Sequence, residues 1–470
     1  MKLVLFVNPY ATHGVPCNAA RGVISKLAEM SHALREDGFH LTLLTSKVSA
    51  ELMIKSDSDI FEDVNRVIAF SVDDMLYLEG DDASSGASLL CSSEIDKDYI
   101  ARFQSLIKKS GGDLTPDFLI SFYTETEVLK SVYPDSIVLF FETGLVSQAP
   151  FKEFHTLDRF GTYFSNSLFA LLARDEIGGD GLDSYDCIRD RIKSAADDCF
   201  DKVGQRLLDA YGGVSGFEKK VLLPLQVNGN ASFDAAVGFK SQFDMVEYVL
   251  LRTPTNVAVL VTEHPKFSQL DEQQDNYLRE NYRHYMYSAD SKFSLNPSFS
   301  LLSQVDAVIS VSSTVIFQSM IIEKPVFILG SGAFKVFNKA TSLSEFVSGL
   351  LDGTTGAVSA RVSNYLISRY SVPAQLYLTR WLPEYLRKIK EIKGYDLPEI
   401  LPAQQLLDYY AFNSSTIERK KGNELSARYG YANITEHELS KLSRMAEECR
   451  TRNLPKLFVK RLLSKLGRSR

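Results

Sequence analysis

Short apolar runs alternate with amphipathic stretches along the first half of the chain. Apolar runs that are separated by helices are typical of parallel strands covered on both faces. The pattern predicts five strands in this half: Lys2–Val7, His40–Thr45, Val67–Phe70, Phe118–Phe122 and Ser136–Phe141. Between the first two, Val23, Leu27, Met30 and Leu34 recur at helical spacing, which predicts a helix over Ala19–Arg35.

The same alternation restarts after a glycine-rich stretch, Tyr211–Gly216. The later apolar runs predict four more strands: Lys219–Val227, Val257–Thr262, Ala307–Val311 and Pro325–Leu329. Amphipathic stretches between them predict three helices: Phe243–Leu251, Phe299–Gln304 and Thr314–Ile322. Two α/β series of similar size predict two doubly wound, Rossmann-type units that face a cleft, with ligands at the carboxyl ends of the strands.

The rest of the chain is mostly helical in pattern, including Leu376–Ile389 and Thr435–Cys449. We therefore expect a first unit over residues 1–210 and a second over 217–345. A helical C-terminal extension follows over residues 346–449, and the last segment, 450–470, differs from it in charge.

Residues 450–470 form a basic segment without any acidic residue. Its cations are Arg450, Arg452, Lys456, Lys460, Arg461, Lys465, Arg468 and Arg470. Leu457, Phe458, Leu462, Leu463 and Leu466 supply an apolar face at helical spacing. Such a segment suits an anionic membrane surface. A docking helix or a solvated tail explains the pattern equally well.

The charge, the cysteine count and the length of the apolar stretches indicate which partners and which cellular compartment the chain suits. The 470-residue chain carries 52 Lys and Arg against 59 Asp and Glu, a net charge of −7, which disfavours a nucleic-acid partner. Its five cysteines are widely spaced and form no CxxC pair, which excludes a disulfide framework and a zinc site and favours a reducing compartment. No apolar stretch is long enough to span a membrane, so we expect a cytoplasmic location, with any membrane contact peripheral.

Two strand ends of the second unit carry candidate phosphate ligands. His264 and Lys266 follow the strand Val257–Thr262, where an imidazole and an ammonium could meet a phosphate, although a plain strand-ending turn is the alternative. Ser312, Ser313 and Thr314 follow the strand Ala307–Val311 and precede a helix. Hydroxyl residues there either cap the helix or help to bind an anion.

Two further loops carry carboxylates. After Gln226 the chain continues through Asn230 to Asp234, a polar loop that offers amide ligands and one carboxylate. In the first unit, Glu142 precedes Thr143-Gly144 at the end of a strand. Loop capping or solvation explains each carboxylate alone, and for two carboxylates at the same inferred cleft a functional site is an equally good explanation. No phosphate loop or dinucleotide fingerprint is present.

The order of these motifs resembles a known family. Glu142-Thr143-Gly144 is followed by Leu-Pro-Leu-Gln226, His-Pro, Ser-Ser-Thr, Lys-Pro-Val and Gly-x-Ala-Phe. This order is similar to that of the bacterial capsule and O-antigen transferases that move 3-deoxy-manno-octulosonic acid (Kdo) from CMP-Kdo. Bacterial CMP-sialic acid transferases share the acidic-Gly, His-Pro and Ser-Ser motifs. The resemblance covers about residues 140–340 and is weak in any single motif.

The resemblance implies an α/β fold of the GT-B type and a glycosyltransferase activity. Residues 1–210 would bind the acceptor, a lipid-linked glycan, and residues 217–345 would hold the CMP-sugar. It also implies that no metal or other cofactor is needed.

By position, the resemblance assigns roles to individual residues. Gln226 and Asn230 would line the donor site, and His264 and Lys266 would contact the nucleotide or its phosphate. Ser312, Ser313 and Thr314 would hold that phosphate. Glu142 would be the catalytic acid/base.

The retaining members of the family use an Asp nucleophile and a covalent intermediate. This chain departs from the pattern, because Asn228, Gly229 and Asn230 stand where that Asp is expected. Asp234 is the nearest carboxylate and our candidate nucleophile. A slip of a few residues in the alignment would also account for the departure, as would a replacement of the nucleophile by Asn230.

Two alternative functions remain open. An inverting CMP-sialic acid transferase would use Glu142 as a base and form no covalent intermediate. A non-catalytic polysaccharide-binding or assembly scaffold would keep the fold without the nucleophile.

Overall fold

The computed structural model describes most of the chain up to residue 418. The described ranges are 1–10, 18–56, 60–79, 90, 96–113, 115–124, 126–144, 148–161, 167–174, 177, 181–226, 238–263, 268–288, 294–330 and 333–418. Within these ranges the chain forms two α/β units and then returns to the first. None of the helices in the described ranges has the length and apolar character required to cross a membrane.

The first sheet has seven strands in the order β12-β6-β5-β4-β1-β2-β3. Their bounds are β1 Lys2–Val7, β2 His40–Ser46, β3 Arg66–Phe70, β4 Phe118–Phe122, β5 Ile137–Thr143, β6 Phe154–Asp158 and β12 Val372–Pro373. Strands β1 to β5 are parallel, whereas β6 runs antiparallel to β5 and β12 runs antiparallel to β6. The five predicted strands are confirmed, and the antiparallel edge is an addition to the predicted parallel sheet.

The second sheet has five parallel strands in the order β11-β10-β7-β8-β9. Their bounds are β7 Lys219–Pro224, β8 Val257–Thr262, β9 Tyr285–Tyr287, β10 Ala307–Ser310 and β11 Val326–Ile328. The four predicted strands are confirmed, although β7 ends earlier than predicted. In both sheets the first strand of the unit is an interior strand, and the strand order reverses beside it, between β1 and β4 and between β7 and β10.

Helices surround both sheets. Those of the first unit are α1 Asn18–Glu36, α2 Lys47–Ser56, α3 Ile60–Asp63, α4 Val72–Glu79, α5 Lys97–Lys109, α6 Glu127–Val132 and α7 Ser167–Ala173. Those that lead into the second unit are α8 Asp186–Cys199 and α9 Gln205–Tyr211. Those of the second unit are α10 Gln242–Arg252, α11 Glu272–Asn281, α12 Pro297–Leu301, α13 Val315–Ile321 and α14 Leu343–Leu351. Those of the returning segment are α15 Ala360–Tyr365, α16 Trp381–Glu391 and α17 Ala403–Leu406.

The predicted helices of the two units are confirmed, but the helix predicted over Leu376–Ile389 is divided. A 3-10 turn, Ala374–Leu378, precedes α16. Between them the Thr379 hydroxyl donates to the Leu376 carbonyl (2.7 Å) and accepts the Trp381 N–H (3.2 Å), so it ends one turn and begins the next helix. The predicted helix Thr435–Cys449 and the basic segment 450–470 lie outside the described residues.

One hydrophobic cluster runs through both units. It contains Leu5 of β1 and Leu222 of β7, and Ile192 of α8 is buried in the same cluster. Aromatic pairs also join the units: the Phe151 and Phe299 ring centroids are 5.8 Å apart, and those of Phe169 and Phe334 are 4.8 Å apart. Because interiors are close-packed, this shared core fixes how the two sheets lie relative to each other.

The returning segment packs on the first unit. Strand β12 pairs with β6, and the Tyr385 hydroxyl of α16 donates to the Leu157 carbonyl at 3.3 Å. Lys390 of the same helix lies 2.7 Å from the Asp117 carboxylate. Two doubly wound units with a chain that returns to the first are the arrangement of a GT-B-like fold.

A π-helical turn, Phe200–Gly204, separates α8 from α9. There Gly204 lies so close to α12 that a Cβ atom would overlap the Ser300 carbonyl oxygen. The absence of a side chain at this position therefore lets the connecting helix cross the second unit at short range.

We predict that Gly204→Ala lowers the free energy of unfolding by about 1–3 kcal/mol, because its methyl group must displace backbone in a packed crossing. Urea unfolding of the full chain measures this change. Gly216→Ala is the matched control, because a Cβ there meets nothing within 4 Å. Equal stability of the two variants would contradict the steric explanation.

Candidate functional site

Gln226 and Ser312 meet at the carboxyl edge of the second sheet. Gln226 follows β7 and Ser312 follows β10, two strands that are neighbours at the reversal of the strand order. The Gln226 Nε2 group donates to Ser312 Oγ at 3.0 Å, and the Ser312 N–H donates to Gln226 Oε1 at 3.1 Å. The fold thus joins two predicted donor-binding residues that are 86 positions apart. Ligands of open α/β sheets bind at this kind of point.

Gln242, which was not predicted from the sequence, forms a hydrogen bond with the backbone of Gln226. It is the first residue of α10 and is fully buried, and its Oε1 atom accepts the Gln226 N–H at 3.1 Å. Ser241 caps the same helix by accepting the Asp244 N–H at 3.1 Å. The contact therefore ties Gln226 to the helix α10. The candidate residues Asn230 and Asp234 lie outside the described residues.

The three hydroxyl residues after β10 differ in their roles. Ser312 is buried against Gln226, whereas Ser313 Oγ accepts the Val315 N–H at 3.4 Å, a long capping bond. Thr314 occupies the N-cap position of α13 without a side-chain capping bond. Helix capping therefore accounts for only one of the three hydroxyls.

Glu263, which follows β8, accepts hydrogen bonds from residues 268–270. Glu263 Oε1 accepts the Gln269 N–H at 2.7 Å and the Leu270 N–H at 3.0 Å. The Ser268 hydroxyl donates to the same carboxylate at 3.0 Å. Glu263 therefore ties together the two sides of a short loop. The candidate ligands His264 and Lys266 lie outside the described residues.

In the first unit, Glu142 lies in the last part of β5, opposite Thr156 of β6. Its Oε1 atom accepts the Thr143 N–H at 2.8 Å. The next residue, Gly144, donates its N–H to the Phe154 carbonyl at 2.8 Å. A Cβ atom at Gly144 would lie 2.6 Å from the Phe154 carbonyl carbon, so only glycine permits this approach.

A second carboxylate, Glu153, precedes β6 at the same edge and was missed by the sequence analysis. Lys26 Nζ lies 2.8 Å from Glu153 Oε2, and His155 Nε2 lies 3.1 Å from Glu153 Oε1. The Lys26 and His155 side chains are only 11% and 1% exposed, whereas that of Glu153 is 46% exposed. The Glu153 carboxylate is therefore half-exposed, whereas the two basic side chains that contact it are buried.

These partners set the charge of Glu153. The hydrogen bond from His155, and then the contact with Lys26, lower the pKa of Glu153 to about 2. Burial lowers the pKa of His155, which favours the neutral imidazole. Glu153 is therefore ionised at neutral pH and is a weak base there, but it can accept hydrogen bonds from sugar hydroxyls.

Tyr123 stands beside both carboxylates. It follows β4 with a φ of +53°, an uncommon conformation for a residue with a side chain, and its N–H donates to the Phe141 carbonyl at 2.8 Å. Burial, and then the negative charges of Glu142 and Glu153, raise the pKa of the Tyr123 phenol. The phenol is therefore a hydrogen-bond donor at neutral pH.

Among the residues that the structure describes, no three His, Cys, Asp or Glu side chains are grouped in a way that could hold a metal ion. The metal independence expected from the resemblance stays a prediction.

Comparison with known families gives one match. Residues 201–338 match the profile of a family described as capsule polysaccharide biosynthesis protein. The matched segment contains β7 to β11 and both Gln226 and Ser312. No curated protein sequence matches this chain.

Solved structures resemble the chain only distantly. The calicheamicin glycosyltransferase CalG4 is 11% identical, with 92% of this chain and 99% of that chain covered and a TM-score of 0.27. A variant of the wall teichoic acid polymerase TagF is 11% identical over 93% of this chain and 89% of that chain, with a TM-score of 0.23.

A third structure, named as a candidate UDP-N-acetylglucosamine 2-epimerase from Listeria monocytogenes, is 11% identical over 85% of this chain and 98% of that chain, with a TM-score of 0.31. Similarities at this level carry no argument about activity. The profile match covers residues 201–338 of the 470-residue chain, and the two-unit architecture is that of a GT-B-like fold.

We predict that Glu153→Gln lowers the free energy of unfolding by about 1–2 kcal/mol at neutral pH, a value reduced for the exposure of Glu153. The reason is that the buried Lys26 ammonium loses its carboxylate. Because the folded-state pKa of Glu153 is depressed, its contribution is present above the unfolded-state pKa of 4.5 and is lost as pH falls towards about 2. Urea unfolding between neutral and acidic pH measures both effects.

Glu323→Gln is the matched control. The Glu323 carboxylate is 42% exposed and lies 2.8 Å from Lys193, whose side chain is itself 32% exposed. The other partner of Glu323, Arg189, is 3.8 Å away and keeps the Asp186 carboxylate at 3.1 Å when Glu323 is replaced. We expect a smaller loss for this variant. Equal losses at neutral pH, or a loss for Glu153→Gln that persists at acidic pH, would contradict the prediction.

Proposed function

We propose that this chain is a glycosyltransferase that moves Kdo from CMP-Kdo to a bacterial surface glycan, with the acceptor linked to lipid. The observation that carries the proposal is the contact between Gln226 and Ser312 at the reversal of the strand order. This contact lies within residues 201–338, which match the capsule biosynthesis profile. Nucleotides bind at the equivalent point of other doubly wound sheets.

The donor would bind in the second unit. Ser313 and Thr314 would offer hydroxyls to the CMP phosphate, together with His264 and Lys266 from the loop after β8. Gln226 and Asn230 would line the donor site, with Ser312 held against Gln226. These groups supply positive charge and hydrogen-bond donors, which would stabilise CMP as it leaves. We propose that no metal is required.

The reaction would proceed in two displacements. The Asp234 carboxylate attacks the anomeric carbon of Kdo, while the bond between that carbon and the phosphate oxygen breaks and CMP leaves. An acceptor hydroxyl then attacks the same carbon and releases Asp234. Glu142 would take the hydroxyl proton in this second step.

The acceptor would bind on the first unit. Glu142 lies there at the end of β5, and the ionised Glu153 lies at the same edge. Carboxylates accept hydrogen bonds from sugar hydroxyls, so the pair suits a glycan acceptor. The basic segment 450–470 would hold the enzyme at an anionic membrane surface on the cytoplasmic side, close to a lipid-linked acceptor.

We predict that Ser312→Ala weakens the binding of CMP about tenfold. The reason is that the Gln226 Nε2 group loses its hydrogen-bond acceptor, so the Gln226 side chain is no longer held in place. Isothermal titration with CMP in the presence of EDTA measures the affinity. Ser319→Ala is the matched control, since the buried Ser319 hydroxyl of α13 donates to the Val315 carbonyl at 2.6 Å, away from the strand ends. An equal loss in both variants would contradict the prediction, as would binding that requires added magnesium.

We predict a covalent adduct of one Kdo residue on the protein after incubation with CMP-Kdo generated in situ. Intact mass spectrometry detects it, and CMP-sialic acid serves as the alternative donor. The adduct should be absent in Asp234→Ala and present in Asp244→Ala, the matched control on α10.

The remaining outcomes separate the alternative functions. Acceptor-dependent release of CMP without an adduct would indicate an inverting enzyme, with Glu142 as the base. No adduct and no CMP release with either donor would favour a non-catalytic scaffold, in which the Asn228–Asn230 segment has replaced the nucleophile.

A further inference from the structure

A cavity of about 560 Å³ lies at the amino edge of the first sheet. It is bounded by the starts of β1, β2 and β3 and by the turn that follows α5. Val4, Leu44 and Ile68 line it from three neighbouring strands and form an apolar wall. Glu142 and Glu153 lie at the opposite edge of the sheet, so the cavity is separate from the proposed active site.

A buried tyrosine, Tyr133, lines this cavity. It is only 1% exposed. In the described part of the chain its hydroxyl makes no hydrogen bond, and its backbone N–H donates to the Leu129 carbonyl. Thr42 of β2 lines the same space with a second hydroxyl. A hydroxyl can both donate and accept a hydrogen bond, so these two side chains can bond to the hydroxyls of a ligand.

The charged groups around the cavity sum to a single positive charge. Lys2 and Arg66 each contribute +1 and Asp113 contributes −1, with His40 counted as neutral. Lys2 Nζ lies 2.5 Å from the Asp113 carboxylate, so this pair is already neutralised. Arg66 uses one N–H to donate to the Ser110 carbonyl at 2.6 Å, and a guanidinium has five such donors. Arg66 can therefore also bind an anionic group.

The turn after α5 lines the cavity and packs closely against side chains of the strands. Gly111 has a φ of +69°, which favours glycine, and the Gly112 N–H donates to the Ile107 carbonyl at 2.7 Å. A Cβ atom at Gly112 would lie 2.6 Å from Ile68 Cδ1, in the apolar wall. The two glycines thus let this turn approach the strand residues Arg66 and Ile68 closely.

We propose that this cavity binds a small hydroxylated carboxylate, of which a free sugar acid is an example. Arg66 would bind the carboxylate, the Tyr133 and Thr42 hydroxyls would bond to ligand hydroxyls, and the apolar wall would contact its C–H groups. The volume lies within the range of small-molecule sites, about 300–1,000 Å³. The inference goes beyond the proposed transfer reaction, because it uses neither the nucleotide site nor Asp234.

Isothermal titration of the full chain tests the proposal with free Kdo and free N-acetylneuraminic acid as probes. N-acetylmannosamine is the neutral control sugar. We expect saturable binding of at least one acid and at least tenfold weaker binding of the neutral sugar. No saturable binding of either acid up to about 10 mM would overturn the proposal.

Two nearly isosteric variants locate the site. Tyr133→Phe and Thr42→Val each remove one hydroxyl, and each should weaken acid binding about fivefold. Tyr410→Phe is the matched control, because Tyr410 is also a buried tyrosine but lies outside the cavity. Unchanged affinity in both test variants, or an equal loss in Tyr410→Phe, would overturn the assignment to this cavity.

Saturating CMP separates the cavity from the donor site. We expect acid binding to persist when CMP is bound, and to persist in Ser312→Ala. Displacement of the acid by CMP would place it in the donor site instead and would overturn the proposal. Acid binding that persists in a chain with no transferase activity would leave this inference intact and reject only the proposed reaction.

Discussion

Parallel strand pairing is the constraint on which the candidate site depends. In each sheet it brings the carboxyl ends of the parallel strands to one edge, and the strand order reverses beside the first strand of the unit. In the second unit the side chains at that reversal are Gln226 and Ser312, which bond to each other through both halves of the Gln226 amide. Residues that are distant in the chain come into contact at this edge because their strands are neighbours in the sheet.

The relation between the two units rests on packing rather than on a flexible linker. A continuous apolar cluster includes strands of both sheets and the helix α8, and the chain returns to the first sheet through β12 and α16. Gly204 lets the connecting helix approach α12 at a distance that a methyl group would forbid. A two-substrate reaction needs such a defined geometry, because small displacements of reacting groups cost much of the rate.

The edges of the first sheet differ in electrostatic character. At the carboxyl edge, buried Lys26 and His155 hold Glu153 ionised, since the cost of burying an ammonium is offset only by a close carboxylate. At the amino edge, Lys2 and Asp113 neutralise each other and Arg66 keeps spare donors beside the Tyr133 hydroxyl. One sheet therefore carries a half-exposed negative charge at one edge and spare hydrogen-bond donors of a cation at the other.

The sequence alone determined the strands that are buried on both faces, because continuous apolar runs such as Lys2–Val7 and Val257–Thr262 report burial locally. It also indicated Ser312 as a candidate site residue, because Ser312 directly follows a predicted buried strand, whereas only the family resemblance indicated Gln226. It did not reveal β6 or the two-residue β12, whose antiparallel pairing is decided by partners elsewhere in the chain.

Only the tertiary structure placed Lys26, Glu153 and His155 together, and only the backbone revealed the positive φ of Tyr123. No local pattern marks such residues, because a charged residue acquires a buried partner only when the fold is complete. The spacing of apolar residues indicates which face of each helix or strand is buried. The contacts that set the protonation state and the position of a side chain depend instead on which helices and strands become neighbours.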